Sequence, residues 1–183
     1  MAKDRKIDMV ILGLLSHEDA TGYDIKKKID GQIRFFWKGS FGSIYPALGE
    51  MVKLGQIEKV SEDISGKESK RERIMYRITD KGRGALKEWL ADRKQSNELK
   101  YEMLLKLFFG GAADRETAIS TIESFEAEVK EDLETLKFYK SNLERIKDEE
   151  DHLYYYLTTL FGIETYEAYL KWCAKAKKEL KRG

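Results

Sequence analysis

SFGSIYPALGEMVKLG, residues 40–55, holds the chain's only proline, Pro46, inside a segment whose apolar residues otherwise recur at helical spacing. A proline in a helix interior removes a hydrogen bond and clashes with the preceding turn, at about 3 kcal/mol, and is tolerated only in the first turn. The helix is therefore predicted to begin close to Ser43. That puts Ser43 and Tyr45 at its leading end and turns Ile44, Leu48, Met51, Val52 and Leu54 inward. Gly55 fits its far end as a left-handed cap. The fixed φ of Pro46 and the small residues Ser40, Gly42 and Ser43 let the leading backbone N–H groups approach a phosphate, as helix N-termini commonly do. Tyr45 beside them either reaches a phosphate or a base edge, or packs against the preceding helix.

Upstream, residues 5–17 place Ile7, Val10, Ile11, Leu14 and Leu15 on one helical face, and Thr21 is suited to cap a second short helix, GYDIKKKIDG. Downstream, QIEKVSE reads as a strand, and IMYRI, residues 74–78, alternates in the way a half-buried strand requires. The polar connection EDISGKESKRER concentrates Lys67, Lys70, Arg71 and Arg73 at what reads as a hairpin tip, with Glu62, Asp63, Glu68 and Glu72 interleaved. Thr79 and Asp80 then cap a fourth helix, with the carboxylate on the favourable side of the helix dipole.

From Asn97 onward only helices are expected: ELKYEMLLKLFFG, a very long helix from Asp114 to Glu150, and two shorter ones ending near Leu180. The long segment repeats Ile122, Val129, Leu136 and Leu143 every seven residues, a heptad seam that asks for a partner helix. Placed on a second copy of the chain, the seam would make a homodimer. The expected architecture is mainly α with a small β-hairpin wing. Residues 1–95 form a winged helix-turn-helix domain, and residues 96–183 form a helical dimerisation domain that is also a possible effector domain.

Composition narrows the function. With 42% hydrophobic and 37% charged residues, the chain reads as soluble, with a real core. It has no apolar run of the roughly 18 residues that span a bilayer and no cleavable leader, so a cytoplasmic setting without membrane contact is expected. The single cysteine, Cys173, excludes an intrachain disulfide. The net charge of +1 conceals a split. Residues 1–90 carry 18 Lys and Arg against 14 Asp and Glu, whereas the remainder is net acidic, which places a polyanion partner on the first half. His17 and His152 sit in no ligand or nucleophile motif and no phosphate-binding glycine motif occurs, so neither an enzyme site nor a metal or other cofactor is expected. The C-terminal aromatics Tyr154, Tyr155, Tyr156, Phe161, Tyr166, Tyr169 and Trp172 read as core packing in preference to a ligand cage.

Helix, helix, loop, helix, then two strands with a basic tip is the order of a winged helix-turn-helix, whose third helix enters the DNA major groove. The stretches ILGLLSHEDATGYDIKKKI, GSFGSIYPALGEMVKLGQIE and MYRITDKGRGALKEWL, in that order, resemble the PadR family of bacterial transcriptional regulators. LTTLFGIETYEAYLKWC resembles the larger helical C-terminal domain of one branch. The resemblance implies a homodimeric regulator that binds double-stranded DNA at a pseudo-palindromic operator, commonly a repressor released by a small aromatic molecule. It assigns DNA reading to Ser40 through Pro46 and to the wing. A relative of the longer type acts as an activator alongside another regulator. The rival class is a winged helix used as a protein-interaction module, since after Pro46 the third helix carries only Lys53 as a cation.

Overall fold

The structure, a computed structural model, describes residues 6–37, 41–61, 74–93, 101–149 and 151–182. The chain divides into two units, Met1–Ser96 and Asn97–Gly183.

In the first unit, α1 (Lys6–Leu15) buries Ile11, Leu12 and Leu15. A short strand, β1 (Ala20–Thr21), leads into α2 (Gly22–Lys28). The start of α2 is held by a reciprocal capping box: the Asp24 backbone N–H donates to the Thr21 hydroxyl at 3.1 Å, and the Thr21 N–H donates to the Asp24 carboxylate at 3.2 Å. A π-helical turn (Ile29–Ile33) prolongs α2. A 3₁₀ turn (Phe41–Ser43) precedes α3 (Ile44–Lys53), and β2 (Ile57–Ser61), β3 (Ile74–Ile78) and α4 (Asp80–Ala91) follow. The sheet is antiparallel in the order β1-β3-β2, with Ala20 opposite Tyr76 and Ile57 opposite Ile78. Ile25, Ile29, Ile44, Leu48, Met51, Tyr76 and Ile78 join the α1 residues in one core. Each fully buried aliphatic side chain there contributes about 1.5–3 kcal/mol of hydrophobic transfer free energy.

Two expectations for this unit need adjusting. The strand β1 has no counterpart in the sequence pattern, because two residues are too short to show a period. Leu54 is 44% exposed, not inward, because it follows the last turn of α3 just where the chain reverses through Gly55.

The second unit contains α5 (Glu102–Phe108), a 3₁₀ turn (Gly110–Ala112), α6 (Arg115–Leu143) and α7 (His152–Arg182). Asp114 caps α6 by accepting from the Thr117 N–H at 2.7 Å, a bond that holds its carboxyl below the ordinary range. The long helix ends at Leu143. The residues after it form turns closed by i→i+3 bonds, such as Ile146 N–H to the Leu143 carbonyl at 3.1 Å, because the charged run beyond Leu143 offers little apolar surface to bury. In place of two shorter helices there is one, α7, 31 residues and about 46 Å long.

The seam is corrected by this packing. Ile122, Val129 and Leu136 are 0%, 2% and 3% exposed within the single chain, and Leu143 is half-buried. They face α7 of their own protomer, where Gly162 gives Leu136 its space: a Cβ at Gly162 would stand 3.0 Å from Leu136 Cδ1. The stripe therefore belongs to an intrachain helix pair and is not a free surface for a second copy. Leu133, one position off the heptad, is buried with them. Tyr101, Phe125, Tyr166 and Tyr169 pack edge to face nearby, with the Tyr101 and Tyr169 hydroxyls in contact and the Tyr166 hydroxyl 3.2 Å from Asp132. Burial raises the Tyr169 phenol well above its ordinary value, and the Tyr101 hydrogen bond adds to the rise. No described helix is long and apolar enough to cross a membrane.

Candidate nucleic-acid interface

Helix α3 presents two unlike faces. Ile44, Ala47, Leu48 and Met51 are buried, whereas Gly42 before it and Tyr45, Pro46, Gly49 and Lys53 along it are exposed. Pro46 lies in the first turn, where its missing N–H would have had no intrahelical partner in any case. No acidic residue occupies that turn, so the positive end of the helix dipole is not offset there. The exposed face is slim, since glycine and proline add little bulk to the backbone. Tyr45, 63% exposed, is the large side chain on its leading turn.

The packing alternative for Tyr45 holds in part. Its ring stands in solvent over most of its surface, yet one edge rests on the first turn of α2, where a Cβ built at Gly22 would lie 2.8 Å from Tyr45 Cε1. Its phenol is also close enough to Tyr76 to raise that group's pKa, an effect secondary to burial.

The far end of α3 is fastened twice. Gly55, at φ +68°, donates to the Val52 carbonyl at 3.0 Å, and Gln56 N–H donates to the Met51 carbonyl at 3.0 Å, the paired bonds of a Schellman motif. The start of α4 then reaches back. The Thr79 hydroxyl lies 2.7 Å from the Gly55 carbonyl and 3.0 Å from the Gln56 carbonyl, and it accepts from the Gly82 N–H at 3.2 Å. The Lys81 ammonium donates to the Leu54 carbonyl at 2.7 Å, where a cation also suits the negative end of the helix dipole. Gly82 passes so close that a Cβ on it would meet the Gln56 carbonyl oxygen at 2.2 Å.

At the base of the wing, Arg77 on β3 forks onto Asp19, with Nη2 to Oδ2 at 2.6 Å and Nε at 3.0 and 3.1 Å from the two oxygens. These hydrogen bonds from the guanidinium raise its already high pKa. Ser40 and the wing-tip residues Lys67, Lys70, Arg71 and Arg73 lie outside the described residues. Of the lysine run on α2, Lys28 pairs with Glu18, while Lys26 and Lys27 are exposed.

The structure thus brings Gly42, Ser43, Tyr45 and Pro46 together at one helix end. Sequence reading missed Gly49 on the slim face, Gly22 under Tyr45, Gly82, and the reach of Thr79 and Lys81 back to the end of α3. Thr21 was legible as a helix cap, but the close contacts of Gly22 and Gly82 leave no local signal.

Fold and surface together define a winged helix-turn-helix protein with a helical C-terminal domain. Residues 11–88 match the transcriptional regulator PadR-like family, and residues 99–181 match the virulence activator alpha C-terminal domain. Residues 11–88 thus carry the PadR-like regulator domain, and residues 99–181 carry the larger helical C-terminal domain found in one branch of that family. A negative transcriptional regulator, PadR of Bacillus subtilis, is 33% identical over 115 residues, a span of 62% of each chain. The crystal structure of Bacillus subtilis PadR in complex with operator DNA shares 25% identity at a TM-score of 0.79, over 96% of this chain and 99% of that one. A PadR-like regulator of Bacillus cereus shares 26% identity at a TM-score of 0.76, over 96% and 98%.

Proposed function

We propose that the chain is a homodimeric, sequence-specific DNA-binding repressor that reads a pseudo-palindromic operator with the leading half of α3. The observation that carries this reading is the slim exposed face of α3, with Tyr45 projecting from a helix fastened at its other end by Thr79 and Lys81. Repression is supported by the relative named as a negative regulator, and DNA as the partner by the neighbour solved on its operator. Lys67, Lys70, Arg71 and Arg73 are assigned to phosphates, and Ser40 to the approach of the helix end.

Dimerisation is assigned to the C-terminal unit, on a surface other than the buried heptad stripe. Tyr154, Leu157 and Phe161, three and four residues apart on α7, are 64%, 52% and 67% exposed and make an apolar face of helical period. Two-fold symmetry then places the recognition helices about 34 Å apart, or a multiple of that. The family resemblance extends the reading to a small aromatic effector that lowers DNA affinity, in which case DNA lowers effector affinity by the same factor.

Selection of genomic fragments with the purified chain, followed by salt titration of the enriched duplex, tests the reading. Replacing Lys67, Lys70 and Arg71 with alanine should weaken all duplexes and flatten the salt slope by about 1 for each phosphate no longer neutralised. Absence of any enriched fragment would point to the protein-interaction class instead. The match to a virulence activator C-terminal domain supports a second sign of regulation, activation; transcription from the selected fragment with and without the protein decides between the two.

A further inference from the structure

We propose that Gly22 is a positioning residue for DNA reading: with no side chain at the first turn of α2, it lets the Tyr45 ring lie across that turn, and this contact sets where the Tyr45 hydroxyl stands at the leading end of α3. The inference rests on the DNA-binding reading above and names the device that makes it specific.

Gly22 is buried, and a Cβ on it would lie 2.8 Å from Tyr45 Cε1, 3.4 Å from Tyr45 Cζ and 3.3 Å from Leu48 Cδ1. All three are side-chain atoms, so the ring, not the backbone, would have to give. Backbone conformation supplies no reason for a glycine here. Among the described glycines Gly55 alone has a left-handed φ, and Gly22 is an ordinary helical residue enclosed by the Thr21–Asp24 box. At such a position alanine is the better helix former and also restricts the unfolded chain. What excludes it is the space the phenol occupies.

That space matters because Tyr45 is otherwise mostly in solvent. An exposed aromatic side chain without a wall samples several rotamers, and ordering it on binding weakens affinity. The surface over Gly22 provides a wall on one side. It holds the ring in advance, close to Tyr76 and at the leading turn of α3. A methyl group at residue 22 would push the ring off this surface and shift the hydroxyl by more than a hydrogen bond to a base edge tolerates.

The test uses the full chain, the duplex enriched from genomic DNA by the wild type, and a scrambled duplex of equal length and composition. Anisotropy titrations at fixed salt compare the wild type, Gly22→Ala, Tyr45→Ala and the pair. Gly22→Ala should weaken the selected duplex about tenfold, within the range one base-edge hydrogen-bonding group carries, and leave the scrambled duplex within about twofold. On the Tyr45→Ala background it should do nothing further. Equal loss on both duplexes, a second full loss on that background, or no loss would each overturn the proposal.

A readout free of DNA accompanies this. With 3-fluorotyrosine incorporated, the Tyr45 fluorine resonance, assigned by its absence in Tyr45→Ala, should move in Gly22→Ala; an unmoved resonance overturns the contact. If Gly22→Ala does not fold, the paired variant decides. Folding restored by removal of the ring supports the proposal, and failure of the pair to fold assigns Gly22 to Leu48 packing and overturns it. If no duplex is enriched at all, the DNA-binding reading itself fails, a result distinct from any outcome of the variant series.

Discussion

Leu136→Ala should cost the chain about 4 kcal/mol of stability without dissociating it. The side chain is 3% exposed, so its three carbons beyond Cβ leave a packed interior. At about 0.8 kcal/mol for each buried methylene-sized group, the transfer loss is roughly 2.5 kcal/mol. A cavity cost is added, and here it is near the top of its range. The facing residue is Gly162, which has no side chain to move into the vacated space, and a Cβ there would stand 3.0 and 3.4 Å from the two Leu136 Cδ atoms. Buried Leu→Ala changes cost about 2–5 kcal/mol, and a site that cannot collapse falls in the upper half. With a urea slope of about 2 kcal/mol per molar, the midpoint should fall by roughly 2 M. Urea unfolding of the full chain followed by circular dichroism measures this, and sedimentation of the native variant measures its assembly. Gly162→Ala should cost about 1–3 kcal/mol alone, through crowding, and far less in the Leu136→Ala background. A loss below about 1 kcal/mol together with conversion to monomers would refute the intrachain packing and restore the stripe to an intermolecular seam.

Tyr45→Ala should weaken the selected duplex by about 1–3 kcal/mol and leave folding stability within about 0.5 kcal/mol, because its ring is 63% exposed; calorimetry and anisotropy together check both halves. Gly82→Ala should destabilise the first unit by about 1–3 kcal/mol or more, since the added methyl would meet a backbone oxygen at 2.2 Å; an unchanged melting temperature would refute the clamp geometry. The Glu126 carboxyl is held below its ordinary 4.5 chiefly by the Lys177 hydrogen bond at 2.6 Å. Its contribution is thus complete above that value and lost as pH falls through the lowered native one. The acid limb of melting temperature against pH should therefore be shallower in Glu126→Gln, and an identical limb would discount the pair.

The parts of the fold legible in the sequence are those governed by local rules. Pro46 fixed where α3 could start, Gly55 where it had to reverse, and Thr79 where α4 began, because each restricts its own backbone whatever surrounds it. The alternation in IMYRI located β3 for the same reason. Direction of packing was harder. A heptad states that an apolar stripe must be covered, and says nothing about whose helix covers it; α7 of the same chain does so at Leu136, through Gly162. That glycine also conceals the continuity of α7, since a residue that weakens a helix locally is retained here for a contact about 26 positions earlier in the chain. At the candidate interface, the exposed leading end of α3 follows from Pro46, but Gly22 and Gly82 are required by neighbours that meet only in three dimensions.

One hydroxyl, on Thr79, touches the turn leaving α3, the carbonyl of Gln56 at the entrance to β2 and the first turn of α4. Three elements that share a single group do not open separately. Backbone amides at Gln56, Thr79 and Arg83, bonded to Met51, Gln56 and Thr79 respectively, should exchange with solvent deuterium at a common rate, as one cooperative block. Thr79→Val, which keeps the shape and removes the hydroxyl, should speed all three together. Helix α3 then has no looser state of its own: it is either seated on the sheet with its neighbours or lost along with them.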